Sequence, residues 1–199
     1  MTPCAHLIDD DDAIRDSLAW LLESCGVACR SYPSAEDFLA EWLPACTGCI
    51  LLDIRMGGMS GPELFDVLCE RGCRMPVIFL TGHGDVPMAV AALKKGAFDF
   101  VEKPFNDNEL VDRVVEALKL DANQRLAAAD ADSLSARLSS LTTREREVME
   151  LVLAGKLNKL IADELQISMR TVEVHRANLF DKMGVRTAVE LAQLLAGKR

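Results

Sequence analysis

The chain has 199 residues, half of them apolar and about a quarter charged, enough for one large or two small domains and without the polar bias of a disordered protein. No apolar run approaches the roughly 20 residues that span a bilayer, and the amino terminus has no basic stretch followed by an apolar one, so a cytoplasmic protein with no membrane partner is expected. The formal charge of -9 argues against nucleic acid only until it is divided: residues 1–118 carry 9 Lys+Arg against 20 Asp+Glu, residues 119–140 carry 3 against 3, and residues 141–199 carry 10 against 8. An acidic body is joined to a mildly basic one, which suits a cation-dependent site linked to a phosphate-contacting module.

In chain order, short β-branched or aliphatic runs alternate with helical patterns. Strands are expected at 5–8, 27–31, 49–53, 76–80 and 98–101, and helices at 13–25, 35–43, 62–71, 86–95 and 107–120. Such βαβ units stack on a five-stranded parallel sheet, and right-handed crossovers put the carboxyl ends of the strands along one edge, where ligands bind. Residues 119–140 then turn rich in Ala, Asp and Ser without Pro or Gly, so they can extend the last helix as a semi-rigid, solvent-facing linker. The expected organisation is an α/β domain over 1–120, a helical linker over 121–140 and an all-α domain over 141–199. In that last part Thr142 to Glu145 forms a capping box opening a helix to Ala154, with Gly155 as its C-cap. A helix over 159–165, a turn at Gln166-Ile167, a helix capped by Ser168 and running to Met183, and a fourth over 187–195 complete a four-helix unit containing a helix-turn-helix.

Seven cysteines, an odd number all in the first part, argue against a complete disulfide framework. Cys46-Thr-Gly-Cys49 has CxxC spacing, yet it lacks a second CxxC or nearby histidines for zinc and precedes a strand where a redox motif would open a helix. Reduced, partly buried thiols are expected.

The chemistry concentrates at strand ends. Asp9-Asp10 follow the first strand, Asp53 ends the third, Thr81 follows the fourth and Lys103 the fifth. Converging carboxylates repel one another and raise at least one pKa, which a hard divalent cation among them would relieve. Mg²⁺ is the natural choice, taking oxygens from Asp10, Asp53 and a backbone carbonyl near Arg55, with Asp9 acting through water. Asp53 can then attack a phosphoryl group, and Thr81 and Lys103 can bind its remaining oxygens. For a lone Asp at such a position, such as Asp12, an ordinary helix start is the better reading.

These residues resemble a known family. Leu7-Ile-Asp-Asp10, Leu51-Leu-Asp53-Ile-Arg-Met, Thr81 to Val90 and Asp99 to Phe105 are similar to the flavodoxin-like receiver domain of two-component response regulators over about residues 5–120. The resemblance implies Asp53 as phosphoacceptor, a sensor histidine kinase as donor and Asp9 and Asp10 serving Mg²⁺. It also implies a cis Lys103-Pro104 bond, a mobile aromatic partner of Thr81 at Phe100, and tuning of aspartyl-phosphate hydrolysis by Arg55 and His83. One departure stands out: such receivers usually have Pro four residues after the phosphoacceptor, and here Gly57-Gly58 should make the loop more mobile.

In the C-terminal part Leu160, Ile161, Leu165, Ile167, Val172 and Leu179 fit a small core. Asn158, Lys159, Ser168, Arg170, Thr171, Arg176 and Lys182 project polar groups suited to DNA phosphates, and a recognition helix would offer Glu173, Val174 and Ala177 to base edges. From spacing alone an ordinary helical bundle stays open. Leu141 to Val148, Gly155 to Asn158, Ile161-Ala and Ser168 to Asn178 are similar to the LuxR-type domain, and with the receiver the chain resembles the NarL/FixJ class, FixJ-like in its Thr81 to Val90 stretch. Glu173 departs from the Lys of many relatives; it could accept from a cytosine amino group or hold a neighbouring Arg. The resemblance implies promoter DNA and RNA polymerase as partners, a homodimer when phosphorylated, and a switch rather than an enzyme. Two rivals are a haloacid-dehalogenase-like phosphohydrolase, which needs a second Asp where this chain has Arg55, and a DNA-binding protein whose aspartates are vestigial.

Overall fold

The computed structural model describes residues 3–82 and 86–196, and the boundary between two compact units falls after Leu126. The described residues of the first unit form β1 (Cys4–Ile8), α1 (Asp12–Ser24), β2 (Cys29–Tyr32), α2 (Ala35–Glu41), β3 (Gly48–Asp53), α3 (Gly61–Glu70), β4 (Val77–Thr81), α4 (Val86–Lys94), β5 (Asp99–Glu102) and the start of α5 (Asp107–Ser139). The sheet order is β2-β1-β3-β4-β5 and every pair is parallel. The order reverses between β1 and β3, so their carboxyl ends open the crevice in which doubly wound folds bind ligands.

Strand periodicity explains why β3 is buried throughout. Ile50 and Leu52 point into one core with Ile8, Phe79, Phe38 and Leu64, while Cys49 and Leu51 point into another with Leu7, Ile78, Leu18 and Leu110. Each such aliphatic chain contributes about 1.5 to 3 kcal/mol by leaving water, so the central strands are the rigid frame on which the site is mounted. Two boundaries move for local reasons. Val27 precedes β2 because its N–H closes onto the Leu22 carbonyl at 2.9 Å, and α2 stops at Glu41 with Trp42 already extended, two residues before Pro44.

Residues 121–139 are helical and mostly exposed, as expected, since α5 continues to Ser139, but the segment is tied down at particular residues. Asp121 is 1% exposed and accepts the Gly48 N–H at 3.0 Å. Arg125 donates to both Asp121 oxygens and to the Cys46 carbonyl. Gly48 sits at φ +126, and a Cβ there would lie 1.8 Å from the Cys4 carbonyl oxygen, so only glycine permits this strand start. Leu134, further along the helix, is buried in the core of the second unit.

That second unit contains α6 (Thr143–Leu153), α7 (Asn158–Leu165), α8 (Met169–Met183) and α9 (Ala188–Ala196). Thr142 and Glu145 make the expected reciprocal capping box on α6. The tight turn between α7 and α8 places Gln166 in the left-handed region at φ 54, and Ser168 caps α8 by accepting the Thr171 N–H at 3.1 Å. Val148, Ile161, Val172, Leu179, Met183 and Leu191 form the core, with Leu165 and Ile167 against it. Leu160 is a correction: α7 turns Ile161 and Ala162 inward and leaves Leu160 53% exposed. Among the described residues no helix is long and apolar enough to cross a membrane.

Candidate functional site

The carboxyl ends of β1, β3, β4 and β5 bring Asp9, Asp53, Thr81 and Lys103 together. The Lys103 ammonium donates to Asp53 Oδ1 at 2.6 Å and to Asp9 Oδ2 at 2.7 Å, while its own N–H donates to the Thr81 carbonyl at 2.7 Å. The Lys103-Pro104 peptide is cis. Asp53 Oδ2 accepts the Arg55 N–H at 2.8 Å. Behind it, Gly61 lets α3 approach closely, because a Cβ there would fall 2.2 Å from the Asp53 carbonyl oxygen.

Burial pushes the Asp53 carboxyl above its ordinary range; the Lys103 ammonium and the Arg55 N–H pull it back, and the Asp9 carboxylate adds to the rise. Burial works against the Lys103 charge, but its bonds to Asp53 and Asp9 outweigh that and raise its pKa. One cation thus serves two buried carboxylates, and the Asp53 anion remains the under-compensated partner. All donors here are oxygens, which suits a hard cation such as Mg²⁺ held through one or two carboxylates and water. Among the described residues no three His, Cys, Asp or Glu side chains form a ready-made metal cage.

Asp9 and Asp10 differ in surroundings. Asp9 is 1% exposed, bound to Lys103, and accepts the Asp11 N–H at 3.0 Å. Asp10 is exposed, and its Oδ2 accepts the Gly57 N–H at 3.1 Å. A proline at 57 has no N–H to donate, so this tie exists because the chain departs from the usual residue. The following Met59 N–H donates to Glu36 at 3.1 Å, so the glycine loop is anchored on two sides.

Thr81 is fully buried, with its hydroxyl 3.5 Å from the Val101 carbonyl, and Phe100 is half-buried against the core of the first unit. His83 lies outside the described residues. Asp12 is in the first turn of α1, whose N-cap is Asp11. Sequence reasoning missed Arg15, which donates to the Asp9 carbonyl at 2.7 Å and pairs with Asp12, fixing the loop after β1. Its position one turn into α1 is the only available signal.

On α8 the exposed residues Arg170, Glu173, Val174 and Ala177 fall at helical spacing on one stripe. Glu173 has no protein partner among the described residues, and Lys159 is exposed on α7. Asn158, Thr171 and Arg176 are half-buried, and the Arg176 guanidinium lies 5.3 Å from the Phe180 ring centre. Lys182 departs from the expected phosphate-facing set. Its ammonium donates to the buried Glu145 carboxylate at 2.7 Å and to the Ser140 carbonyl at 3.1 Å, so its charge is committed inside the unit. The first bond, with the Thr142 N–H, holds the Glu145 carboxyl below its usual range.

A model of the response regulator receiver domain matches residues 5–115, and one of the bacterial regulatory proteins of the luxR family matches residues 139–195. The chain belongs to the two-component response regulators that join a receiver domain to a LuxR-type DNA-binding domain and act in transcription regulation. Within them it is a FixJ-like member of the NarL/FixJ class. It is 50% identical over 196 residues to the C4-dicarboxylate transport transcriptional regulatory protein DctR of Rhodobacter capsulatus, covering 98% of this chain and 100% of that one. To the transcriptional regulatory protein FixJ of Azorhizobium caulinodans it is 48% identical over 194 residues, covering 96% and 92%. Among solved structures, the response regulator StyR matches with a TM-score of 0.94 at 41% identity, covering 99% of this chain and 100% of that one. Full-length FixJ from B. japonicum matches with a TM-score of 0.61 at 42% identity, covering 98% and 96%.

Proposed function

We propose that Asp53 accepts a phosphoryl group from a sensor histidine kinase and that this modification promotes dimerisation and promoter binding. The observation that supports it best is the Asp53 carboxylate itself: buried, raised in pKa, and held at 2.6 Å by a lysine shared with Asp9. An Asp53 oxygen attacks phosphorus, the bond from phosphorus to the donor imidazole breaks, and an acyl phosphate and a free imidazole result. Asp10, Asp53 and the Arg55 carbonyl would hold Mg²⁺, with Asp9 contributing through water; bound there, the ion neutralises charge on the transferred oxygens. Lys103 binds a phosphoryl oxygen as a point charge, and the Thr81 hydroxyl turns from the Val101 carbonyl to another, leaving space that Phe100 fills. Arg55 and His83 tune hydrolysis, and the slow turnover makes the chain a switch and not an enzyme.

In the second unit Glu173, Val174 and Ala177 face base edges, while Asn158, Lys159, Ser168, Arg170, Thr171 and Arg176 position the helix on phosphates. Lys182 acts there by holding Glu145. Promoter-bound dimers then engage RNA polymerase. Incubation with acetyl phosphate and Mg²⁺ should add about 80 Da, one phosphoryl group, to the wild type and nothing to Asp53→Asn. Equal incorporation in both would refute the assignment.

A further inference from the structure

The loop that follows Asp53 is held more firmly than its two glycines suggest. It runs from Asp53 at the end of β3 to Gly61 at the start of α3, and the Gly61 N–H closes it by donating to the Ile54 carbonyl at 3.1 Å. Between these ends Arg55 donates to Asp53 Oδ2 at 2.8 Å, Gly57 to Asp10 Oδ2 at 3.1 Å, Met59 to Glu36 Oε1 at 3.1 Å and Ser60 to Glu63 Oε2 at 2.9 Å, each through its backbone N–H. All four acceptors are carboxylates, which make such bonds about twice as strong as neutral acceptors do. Glu36 comes from the first turn of α2, and Gly58 lets it reach the loop, since a Cβ there would stand 3.0 Å from Glu36 Oε1.

The three oxygens assigned above to Mg²⁺ belong to this loop or are tied to it. Asp53 opens it, Arg55 carries the carbonyl two residues on, and Asp10, from the loop after β1, is joined to it through Gly57. We propose that the segment from Asp53 to Gly61 is a preorganising frame for the cation, with Gly57 and Glu36 as its positioning residues. Gly57 holds the Asp10 carboxylate through its N–H, and Glu36 holds the loop where Gly57 can do so. The inference rests on the reading of Asp10, Asp53 and the Arg55 carbonyl as the Mg²⁺ ligands.

The physical reason is entropic. Asp10 is exposed, and an untied side chain there would sample several rotamers and lose that freedom when a cation binds. The Gly57 bond imposes the ordering during folding instead. One N–H occupies one of the roughly four acceptor positions of a carboxylate, so Asp10 keeps lone pairs for the metal. A chain with proline at 57 has no such donor and must order Asp10 at the moment of binding.

The test is a Mg²⁺ titration of the isotope-labelled full chain followed by its amide shifts, with thermal melting of each variant as a check on folding. Gly57→Pro should raise the Mg²⁺ dissociation constant about fivefold, the effect of immobilising one side chain. Gly57→Ala is the conservative rescue: it restores the donor, the backbone at 57 is not left-handed, and the new Cβ would sit 4.0 Å from Asp10 Oδ2, an ordinary contact. Glu36→Ala should weaken binding by about two- to threefold, and Glu36→Gln, which keeps an oxygen for the Met59 N–H, should recover the wild-type value. Equal affinity in wild type and Gly57→Pro, or a loss in Gly57→Ala as large as in Gly57→Pro, would overturn the frame and leave the phosphoacceptor reading standing. A wild type without Mg²⁺-dependent shifts would refute the metal reading and the frame with it. Should Gly57→Pro fold poorly, the Glu36 pair decides, and equal affinity in Glu36→Ala and Glu36→Gln overturns the proposal.

Discussion

Each unit contains a lysine donating to a buried carboxylate at 2.6 to 2.7 Å, and the two arrangements differ in what they leave over. In the LuxR-type unit Lys182 meets Glu145, whose Oε2 also accepts the Thr142 N–H in the capping box, and the carboxyl sits below its usual range. Charge and hydrogen bonds balance, and the result is structural. In the receiver Lys103 is shared between Asp9 and Asp53, and the Asp53 carboxyl stays above its usual range. One cation against two buried carboxylates is an incomplete balance that further positive charge or a change of charge at Asp53 can complete. The comparison separates the carboxylate proposed as phosphoacceptor from a structural one by its unmet electrostatic need, not by its burial.

Removing each lysine probes the contrast most strongly. Lys103→Met leaves two buried carboxylates facing each other and should cost the receiver about 3 kcal/mol, read by urea unfolding. A neutral result would mean that solvent reaches this pair more freely than its burial implies. Lys182→Met should cost the second unit less, about 1 to 2 kcal/mol, because Glu145 keeps its backbone donor and Lys182 itself is a third exposed. A larger loss than for Lys103→Met would invert the comparison.

Smaller effects appear in the pH dependence, and they run in opposite directions. The raised Asp53 pKa means that its anion opposes folding at neutral pH and that the protonated form, present at lower pH, relieves this. Asp53→Asn should therefore raise the receiver's melting temperature at pH 7, with the gain shrinking as the pH falls through the Asp53 pKa. The depressed Glu145 pKa stabilises the second unit above the ordinary glutamate range, roughly pH 4.3, and that stability is lost as the pH falls through the lowered value. In Glu145→Gln this acid-linked component should disappear from the melting curve of the second unit; an unchanged acid profile would point to other carboxylates.

The strand ends and caps were legible because they depend on local signals. Alternation located β1, β3 and β4 with their terminal Asp9, Asp53 and Thr81, and the capping residues Thr142 and Ser168 marked two helix starts. What escaped sequence reasoning depends on partners far apart in the chain. Lys182 reaches Glu145 37 residues away, and Asp121 reaches Gly48 73 residues away. No spacing rule distinguishes such a lysine from a phosphate-facing one, or such an aspartate from a solvated linker residue. The short α7 likewise offers too few turns for its apolar residues to reveal that Leu160 faces outward. At Gly57 the departure was visible in the sequence, but the N–H it supplies to Asp10 was visible only once the loop after β1 stood beside it.

The central claim is that the charge state of Asp53 governs DNA binding by the other unit. A gel-shift titration of the full chain on a DNA fragment carrying paired half-sites, with and without acetyl phosphate and Mg²⁺, tests it most directly. Phosphorylated wild type should bind more tightly than untreated protein, and Asp53→Asn should show no response; equal affinity in all samples, or enhancement that survives in Asp53→Asn, would contradict the account.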